Sequence, residues 1–260
     1  MTRKDAEQLI RAFAGGKWAA PLTAVLRPCI GVRTRLIDRK KLAVGASRIG
    51  GTPDVPVGFA WPQTKAGPLA CLAQIKLDDI APFAPAQPLP KTGWLYFFYD
   101  AENVPDGRIQ GGPDDAKVVY VPAGTALDRQ VVPKDLPEGV KQFQTCAVTF
   151  HEQWSLPAPV TENFPSKVML TDDETNEYVK LLSALGEGDV NRGRLHQMFG
   201  YPKIVGFTPS LEPNEALLMT IDSDGDAGWG WRDEGIVVFT IPEKSLVKHD
   251  FSKMTYSCQF

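Results

Sequence analysis

The sequence predicts an α+β fold with a largely antiparallel sheet, and three observations support this prediction. Strand patterns occur in both halves of the chain, for example at 69–77, 94–99 and 235–241. One helix pattern lies at the N-terminus, and a second group forms a helical insertion near 171–199. Strands at both ends with helices between them favour an antiparallel sheet over alternating βαβ units.

Both main helix patterns begin at a capping box. Thr2 and Asp5 have the spacing of this motif before the N-terminal helix, and Thr171 and Glu174 have it before the second helix. Apolar residues then recur at helical spacing, namely Ala6, Leu9, Ile10 and Phe13 in the first and Tyr178, Leu181, Leu182 and Leu185 in the second. A further short helix is expected at about 189–199, where a glycine and a Tyr-Pro pair follow.

The remaining apolar stretches predict strands. They lie at 69–77, 94–99, 117–121, 145–150, 216–221, 235–241 and 254–259, and residues 23–37 are expected to form one or two further strands with an interruption near Pro28. The strand at 94–99 is apolar or aromatic on both faces, which is typical of a central strand covered on both sides. Prolines are dense between 82 and 90 and exclude a helix there.

No linker divides the 260 residues, so we expect a single domain over 1–260. The domain contains a sign of internal duplication, with half-repeats around 69–100 and 216–241. In each half an apolar strand ends in an aspartate and a glycine opens the next strand, at Asp78 and Gly93 in the first half and at Asp222 and Gly235 in the second. Ordinary alternation of strands and turns produces the same pattern without duplication, and both interpretations stay open.

The composition excludes some classes of protein. Hydrophobic residues make up 43% and charged residues 23%, which is typical of a globular protein rather than a disordered one. The net charge of −3 argues against a nucleic-acid partner, because no global basic excess exists to displace phosphate counterions. The basic residues within 33–35 and 39–41 are a local exception, and a solvated strand end and turn is the simpler interpretation of them.

Neither a secretion signal nor a membrane segment is expected. The first 17 residues carry charges throughout and have no apolar core, and the chain contains no run of 18 apolar residues. The four cysteines are far apart and show no Cys-x-x-Cys spacing. These features predict a cytoplasmic protein with reduced cysteines and no membrane partner.

The segment from Ser47 to Pro53 is the most informative part of the sequence. Its spacing is one residue longer than the Gly-x-Ser-x-Gly nucleophile elbow, and prolines follow where that motif needs a helix, so no catalytic serine is predicted. Gly50 and Gly51 permit positive φ or a close approach of backbone. Arg48 is either a clamp for a carboxylate or phosphate, or a structural arginine bound to loop carbonyls.

A second candidate site contains Asp222, Asp224 and Asp226, whose alternating acids resemble the start of a calcium-binding loop. Two positions depart from that pattern. Ala227 stands where the loop needs glycine, and Asp233 stands where it needs a bidentate glutamate. The flanks are also strands rather than helices. Calcium is therefore the one cofactor considered, and an acidic turn between strands is the simpler interpretation.

Further polar and aromatic residues are candidates for a ligand site. His196 is either a general base or ligand donor, or a packing residue, since the histidines have no metal-ligand spacing. Strand alternation places Trp229 and Trp231 on one face, where they line a ligand groove or pack in the core. The ligand-binding candidates are Arg48, Gln74, His196, Tyr201 and Trp231.

These motifs together resemble the YwqG-like family, a bacterial domain. The resemblance is carried by Ser47 to Pro56, Trp61 and Pro62, residues 93–100, residues 196–202 and Asp250 to Ser252, and it extends over nearly all of the chain from about Gly45. After Trp229 the order of tryptophan and aspartate departs from the Trp-Gly-Asp-x-Gly of similar members. The resemblance implies an intracellular α+β fold and brings no catalytic assignment.

Two functions stay open. In the first, the protein is a binding module that recognises a protein or a small ligand through the loops 47–61 and 222–231. In the second, it is a hydrolase with an acidic site near Asp222 and His196. The sequence offers no paired nucleophile and base, which favours the binding module, although such groups are assembled in space rather than in sequence.

Overall fold

A computed structural model describes residues 1–105, 114–129, 132–159, 161–186, 196–202, 210–231 and 235–259. The α-helices in these ranges are α1 (Arg3–Ala12), α2 (Ala19–Val25), α3 (Leu77–Ile80), α4 (Glu138–Lys141), α5 (Asp172–Gly186) and α6 (Glu243–Val247). The strands are β1 (Arg27–Leu36), β2 (Arg48–Ile49), β3 (Val55–Pro56), β4 (Ala70–Lys76), β5 (Trp94–Tyr99), β6 (Ala116–Val121), β7 (Leu127–Asp128), β8 (Cys146–Ser155), β9 (Gln197–Met198), β10 (Glu215–Asp222), β11 (Ile236–Pro242) and β12 (Thr255–Gln259).

One large antiparallel sheet dominates the fold. Over the described ranges it has ten strands in the order β12-β11-β10-β9-β1-β8-β2-β4-β5-β6, and β3 pairs with β7 in a separate small sheet. The strand pairings found there are antiparallel. The prediction of helices combined with a largely antiparallel sheet is therefore confirmed, and the sheet takes a larger share of the fold than the sequence suggested.

The sheet curves so that its two end strands approach each other. The Tyr256 hydroxyl of β12 donates a hydrogen bond of 3.2 Å to Asp115, which directly precedes β6. Phe97 of β5 and Phe239 of β11 meet edge to face, with ring centroids 5.2 Å apart. Because apolar side chains from both halves of the sheet meet in this way, the concave face encloses the main core.

Helices α1, α2 and α5 pack against β8 in a second core, to which Trp154 contributes. The predicted capping box starts α1, since the Thr2 hydroxyl accepts from the Asp5 amide and the Asp5 carboxylate accepts from the Thr2 amide. Thr171 and Glu174 make the same reciprocal pair at the start of α5. Both helix starts therefore follow from local sequence.

Three expectations differ from the structure. Within 82–90, where prolines were expected to exclude a helix, Ala84–Ala86 form a 3₁₀ turn, because proline is tolerated in the first turn of a helix. The strand expected over 23–37 begins only at Arg27, because residues 23–25 complete α2. The helix expected at 189–199 is wrong at its end, and residues 187–195 lie outside the described ranges. Gln197–Met198 form β9, where pairing with β1 and β10 outweighs the local helix signal.

The pairs β4–β5 and β10–β11 occupy matching places on either side of the central β1–β8 pair. Gln74 lies opposite Tyr96 in the first pair, and Thr220 lies opposite Val238 in the second. Each pair also contains one register shift, between Cys71 and Ala73 in β4 and between Leu217 and Met219 in β10. The two pairs thus share a register pattern as well as a place in the sheet.

Candidate functional site

Arg48 lies in the two-residue strand β2, between β8 and β4. Its side chain is 1% exposed. Its Nη2 group donates to Oε1 of Gln74 at 2.8 Å and lies 3.0 Å from the carboxylate of Asp54. Gln74 also accepts from the Asp54 amide at 2.7 Å and donates to the carbonyl of Ala46 at 2.9 Å. Two predicted site residues, Arg48 and Gln74, are thus brought together around an aspartate.

Asp54 is the centre of this group, and the sequence interpretation missed it. It is fully buried, and three guanidinium groups surround its carboxylate, with Nη2 of Arg48 at 3.0 Å, Nη2 of Arg39 at 3.4 Å and Nε of Arg129 at 3.9 Å. The Gly45 amide donates to the same carboxylate at 2.9 Å. We call Arg39, Arg48, Arg129 and Asp54 the arginine cluster. Its three positive charges face one negative charge.

Part of the arginine cluster lacks a hydrogen-bond partner among the residues that the structure describes. The buried N–H groups concerned are Nε and Nη1 of Arg48 and Nε of Arg39. Burial lowers the pKa of Arg39 from its ordinary value, and the positive charge of Arg48 lowers it further, while Asp54 acts in the opposite direction. The cluster therefore contains positive charge that its own carboxylate does not balance.

The glycine pair shapes the turn that connects Arg48 to Asp54. Gly50 and Gly51 both have positive φ, at +71° and +65°. A Cβ on Gly50 would overlap the carbonyl oxygen of Gln144, and a Cβ on Gly51 would overlap the hydroxyl oxygen of Thr145. Backbone conformation and space therefore both require glycine at these two positions.

Ser47 fixes the start of the same turn. Its hydroxyl donates to the carboxylate of Asp79 at 2.6 Å and accepts from the amide of Lys76 at 2.8 Å. Lys76 is the last residue of β4 and Asp79 lies in α3, which follows directly, so the hydroxyl ties the chain before Arg48 to the junction of β4 and α3.

A small cleft with a cavity volume of about 20 Å³ opens beside the turn, and we call it the Gly51 cleft. Its lining is mainly apolar and aromatic, and consists of Gly51, Thr52, Pro53, Trp61, Cys71, Val132, Leu136, Val140, Lys141 and Phe143. Burial raises the pKa of the Cys71 thiol to about 12, so this thiol stays protonated near neutral pH and is a poor nucleophile. A buried, protonated thiol of this kind packs as a small apolar group.

His196 lies directly before β9 and is held from two sides. Its Nδ1 accepts from the Asp222 amide at 3.1 Å, which places the ring proton on Nε2, 3.2 Å from the carboxylate of Asp224. The Thr34 hydroxyl donates to the same carboxylate at 2.9 Å. Burial acts to raise the pKa of Asp224, but the hydrogen bond and electrostatic attraction of His196 outweigh it together with the hydrogen bonds from Thr34 and the Asp226 amide, and the pKa falls to about 2. Both ring nitrogens of His196 are therefore engaged within the protein.

The acidic loop after β10 is organised around Asp224. Its carboxylate also accepts from the backbone amides of Asp226 and Ala227, at 2.8 and 3.4 Å. Within the described ranges, no group of three or more His, Cys, Asp or Glu side chains is placed to hold a metal ion, and Asp233 lies outside those ranges. The calcium site at Asp222, Asp224 and Asp226 stays a prediction.

Trp231 and Tyr201 are buried, at 1% and 4% exposure. Trp231 stacks on Trp229, with ring centroids 5.3 Å apart, and meets Tyr99 edge to face. Tyr201 lies under the guanidinium of Arg27, whose carbon is 4.3 Å from the ring centroid. Both predicted site residues thus contribute to the packing of the fold.

The loops 47–61 and 222–231 contact each other through packed side chains, but their polar groups do not form one site. The Trp229 ring lies 3.3 Å from the place that a Cβ on Gly50 would take. Arg48 bonds to Asp54 and Gln74 in the arginine cluster region, whereas His196 bonds within the acidic loop. The structure therefore places Arg48 and His196 in two separate polar clusters.

Comparison with known proteins assigns the chain to a family. The described part of the chain contains no helix long and apolar enough to cross a membrane. No curated protein matches the chain. One family model matches residues 47–259, which include Arg48, Asp54 and Arg129 of the arginine cluster as well as His196 and Asp224. The chain therefore belongs to this family, which is described as a domain of unknown function (DUF1963).

Proposed function

We propose that this protein is a binding module and that a small ligand, or a side chain of a protein partner, occupies the Gly51 cleft. The lining of the cleft carries the proposal, because it combines aromatic and aliphatic groups with Lys141, whose ammonium donates to Glu138 and to the Lys134 carbonyl. The cavity within the cleft is about 20 Å³, which is room for one small group and far below the size of drug-sized ligand sites. The cleft therefore suits the tip of a side chain or one small group of a ligand.

One wall of the cleft is rigid before any ligand arrives. Gly51, Thr52 and Pro53 form this wall, and they lie between Arg48 and Asp54, which are bound to each other. A preformed wall lowers the cost of ordering the site upon binding. The buried ion pair thus supports recognition by fixing the shape of the cleft.

The alternative function is a hydrolase that uses His196 and the acids near Asp222. A general base needs a ring nitrogen that is free to take a proton from substrate or water. Nδ1 of His196 accepts from the Asp222 amide and Nε2 contacts Asp224, so the resting geometry offers no such nitrogen. The geometry therefore favours the binding module.

The motif from Ser47 to Pro56 supports the narrower assignment of this family member to the YwqG-like proteins. A cytoplasmic location is supported by the four cysteines, which are buried and form no disulfide bond within the described part of the chain. We include both assignments in the proposal.

Lys141 offers a test with a matched control. Lys141 and Lys117 each form an ion pair with an acid three residues earlier, but Lys117 lies outside the cleft. Compact acidic and aromatic fragments are screened by protein-observed NMR. We expect hits to shift the amide resonances of Thr52 and Lys141, and we expect Lys141→Ala to weaken acidic hits about tenfold while Lys117→Ala leaves them unchanged. Hits that leave these amides unperturbed, or equal affinity in the two variants, contradict the proposal.

A further inference from the structure

We propose that the arginine cluster is a second binding site, which takes a phosphate dianion or the phosphate group of a small molecule. The site is distinct from the Gly51 cleft, and its argument does not rest on the function proposed for that cleft. It rests on charge, on unpaired donors and on the surface position of two of the three arginines.

The charge of the cluster is unbalanced around a buried centre that Arg48 and Asp54 form. Arg39, Arg48 and Arg129 all approach the single carboxylate of Asp54, which leaves two positive charges in excess. Buried charges are ordinarily paired, since removing an ion from water without a partner is costly. A phosphate dianion would neutralise the excess, whereas a carboxylate would leave one positive charge. The charge balance therefore favours phosphate over a carboxylate ligand.

The donors of the cluster are also incompletely used. Arg48 is 1% exposed, yet its Nε and Nη1 groups have no hydrogen-bond partner among the described residues, and the same holds for Nε of Arg39. Both guanidinium groups contact the Asp54 carboxylate, so the unpaired N–H groups belong to neighbouring side chains. Guanidinium groups bind phosphate oxygens through paired N–H donors. The unpaired N–H groups of Arg48 and Arg39 are donors of this kind.

Two members of the cluster lie at the surface. The side chains of Arg39 and Arg129 are 28% and 26% exposed, whereas Arg48, Asp54 and the unpaired N–H groups are closed off from solvent. Lys40 follows Arg39 in an exposed 3₁₀ turn and adds a further positive charge to this part of the chain. A local basic surface of this kind attracts anions even though the net charge of the chain is −3.

The experiment titrates the full chain with inorganic phosphate at constant ionic strength, followed by ³¹P NMR and calorimetry. Methyl phosphate and acetate are titrated in parallel. Arg39→Gln and Arg129→Gln remove partly exposed members of the cluster, and circular dichroism checks that each variant is folded. Arg11→Gln is the control, because Arg11 lies on α1 and forms an exposed ion pair with Glu7.

We expect phosphate or methyl phosphate to bind the unmodified protein at least about tenfold more tightly than acetate, and either glutamine variant to weaken that binding about tenfold or more. Tighter binding of methyl phosphate identifies a phosphate ester as the ligand class, and tighter binding of phosphate identifies the free ion. Arg11→Gln should leave the affinity within about twofold. Acetate binding as tight as phosphate, no saturable binding, or equal binding by the glutamine variants overturns the proposal. Equal stabilisation of all variants by phosphate reports only the general effect of that salt on folded proteins and also counts against the site.

Discussion

The carboxylate of Asp54 lies 3.0 Å from the guanidinium of Arg48, and both side chains are buried at 1% exposure or less. The turn between them carries the Gly51 wall of the cleft. The arginine that the sequence left open between an anion clamp and a structural role therefore has a defined structural partner. Its remaining N–H groups are the basis for the proposed phosphate site.

Replacing Asp54 by asparagine should strongly destabilise the protein. The variant keeps the shape of the side chain but leaves three guanidinium groups without their shared counter-charge. We expect a loss of about 3–5 kcal/mol in the free energy of unfolding, as for other broken buried ion pairs. Urea denaturation measures the loss. Asp135→Asn, at an exposed position, is the control and should stay within about 0.5 kcal/mol. A similar small effect at Asp54 would show that the cluster does not hold the turn.

Alanine at Gly50 should cost more than alanine at Gly58, although both glycines have positive φ, at +71° and +75°. A Cβ on Gly58 meets open space, so only the backbone term of about 1–2 kcal/mol applies there. A Cβ on Gly50 additionally overlaps the Gln144 carbonyl, and we expect a total of about 3 kcal/mol or more. Thermal and urea unfolding of both variants test this order. An equal loss of stability in the two variants would contradict this prediction, since the backbone at Gln144 would then move away from the new Cβ at no cost in free energy.

Asp224 should make the stability of the protein sensitive to acid. Its pKa is lowered in the folded state to about 2 from an ordinary value of 3.8, so its contribution is fully present above about pH 4 and is lost as pH falls towards 2. The shift corresponds to about 2 kcal/mol. The stability difference between the unmodified protein and Asp224→Asn should therefore shrink between pH 4 and pH 2, as measured by urea denaturation. A constant difference over this range is the contrary result.

The calcium hypothesis has a separate test. Because Asp224 already accepts hydrogen bonds from Thr34, His196 and two backbone amides, we expect millimolar Ca²⁺ to leave the melting temperature unchanged. Magnesium at the same concentration is the ionic control. A rise that is specific to Ca²⁺ and disappears in an Asp222→Ala/Asp224→Ala variant would instead establish the metal site.

Local patterns in the sequence predicted most regular elements because each depends on nearby residues. The capping box at Thr171 starts α5, and the apolar run at 94–99 forms β5. The two-residue strand β9 was not predicted, because it forms by pairing with β1 and β10. The local sequence resembles a helix and carries no information about these distant partners.

The centre of the arginine cluster escaped prediction for a similar reason. Asp54 is close in sequence to Arg48, but Arg39 and Arg129 reach it only in the folded chain. One sequence signal could have indicated Asp54. It is an acidic residue directly after Pro53, and the next residue, Val55, is apolar. Gln74 was a better guess, because it faces Arg48 across adjacent strands.

The half-repeats at 69–100 and 216–241 gain support from strand register, and we propose that they descend from one duplicated unit. Gln74 opposite Tyr96 corresponds to Thr220 opposite Val238, and each pair has its register shift at the matching place. The amino-acid sequence alone could not decide between duplication and chance, because different residue types occupy the equivalent positions of the two half-repeats.

A double-mutant cycle between Arg48 and Asp54 tests the central claim most directly. Arg48→Met, Asp54→Asn and the double variant are compared with the unmodified protein by urea denaturation at 25 °C. The buried pair predicts a coupling free energy of at least about 2 kcal/mol, with the double variant more stable than the sum of the single losses implies. A coupling within about 0.5 kcal/mol of zero would contradict the account, since the two residues would then stabilise the turn independently.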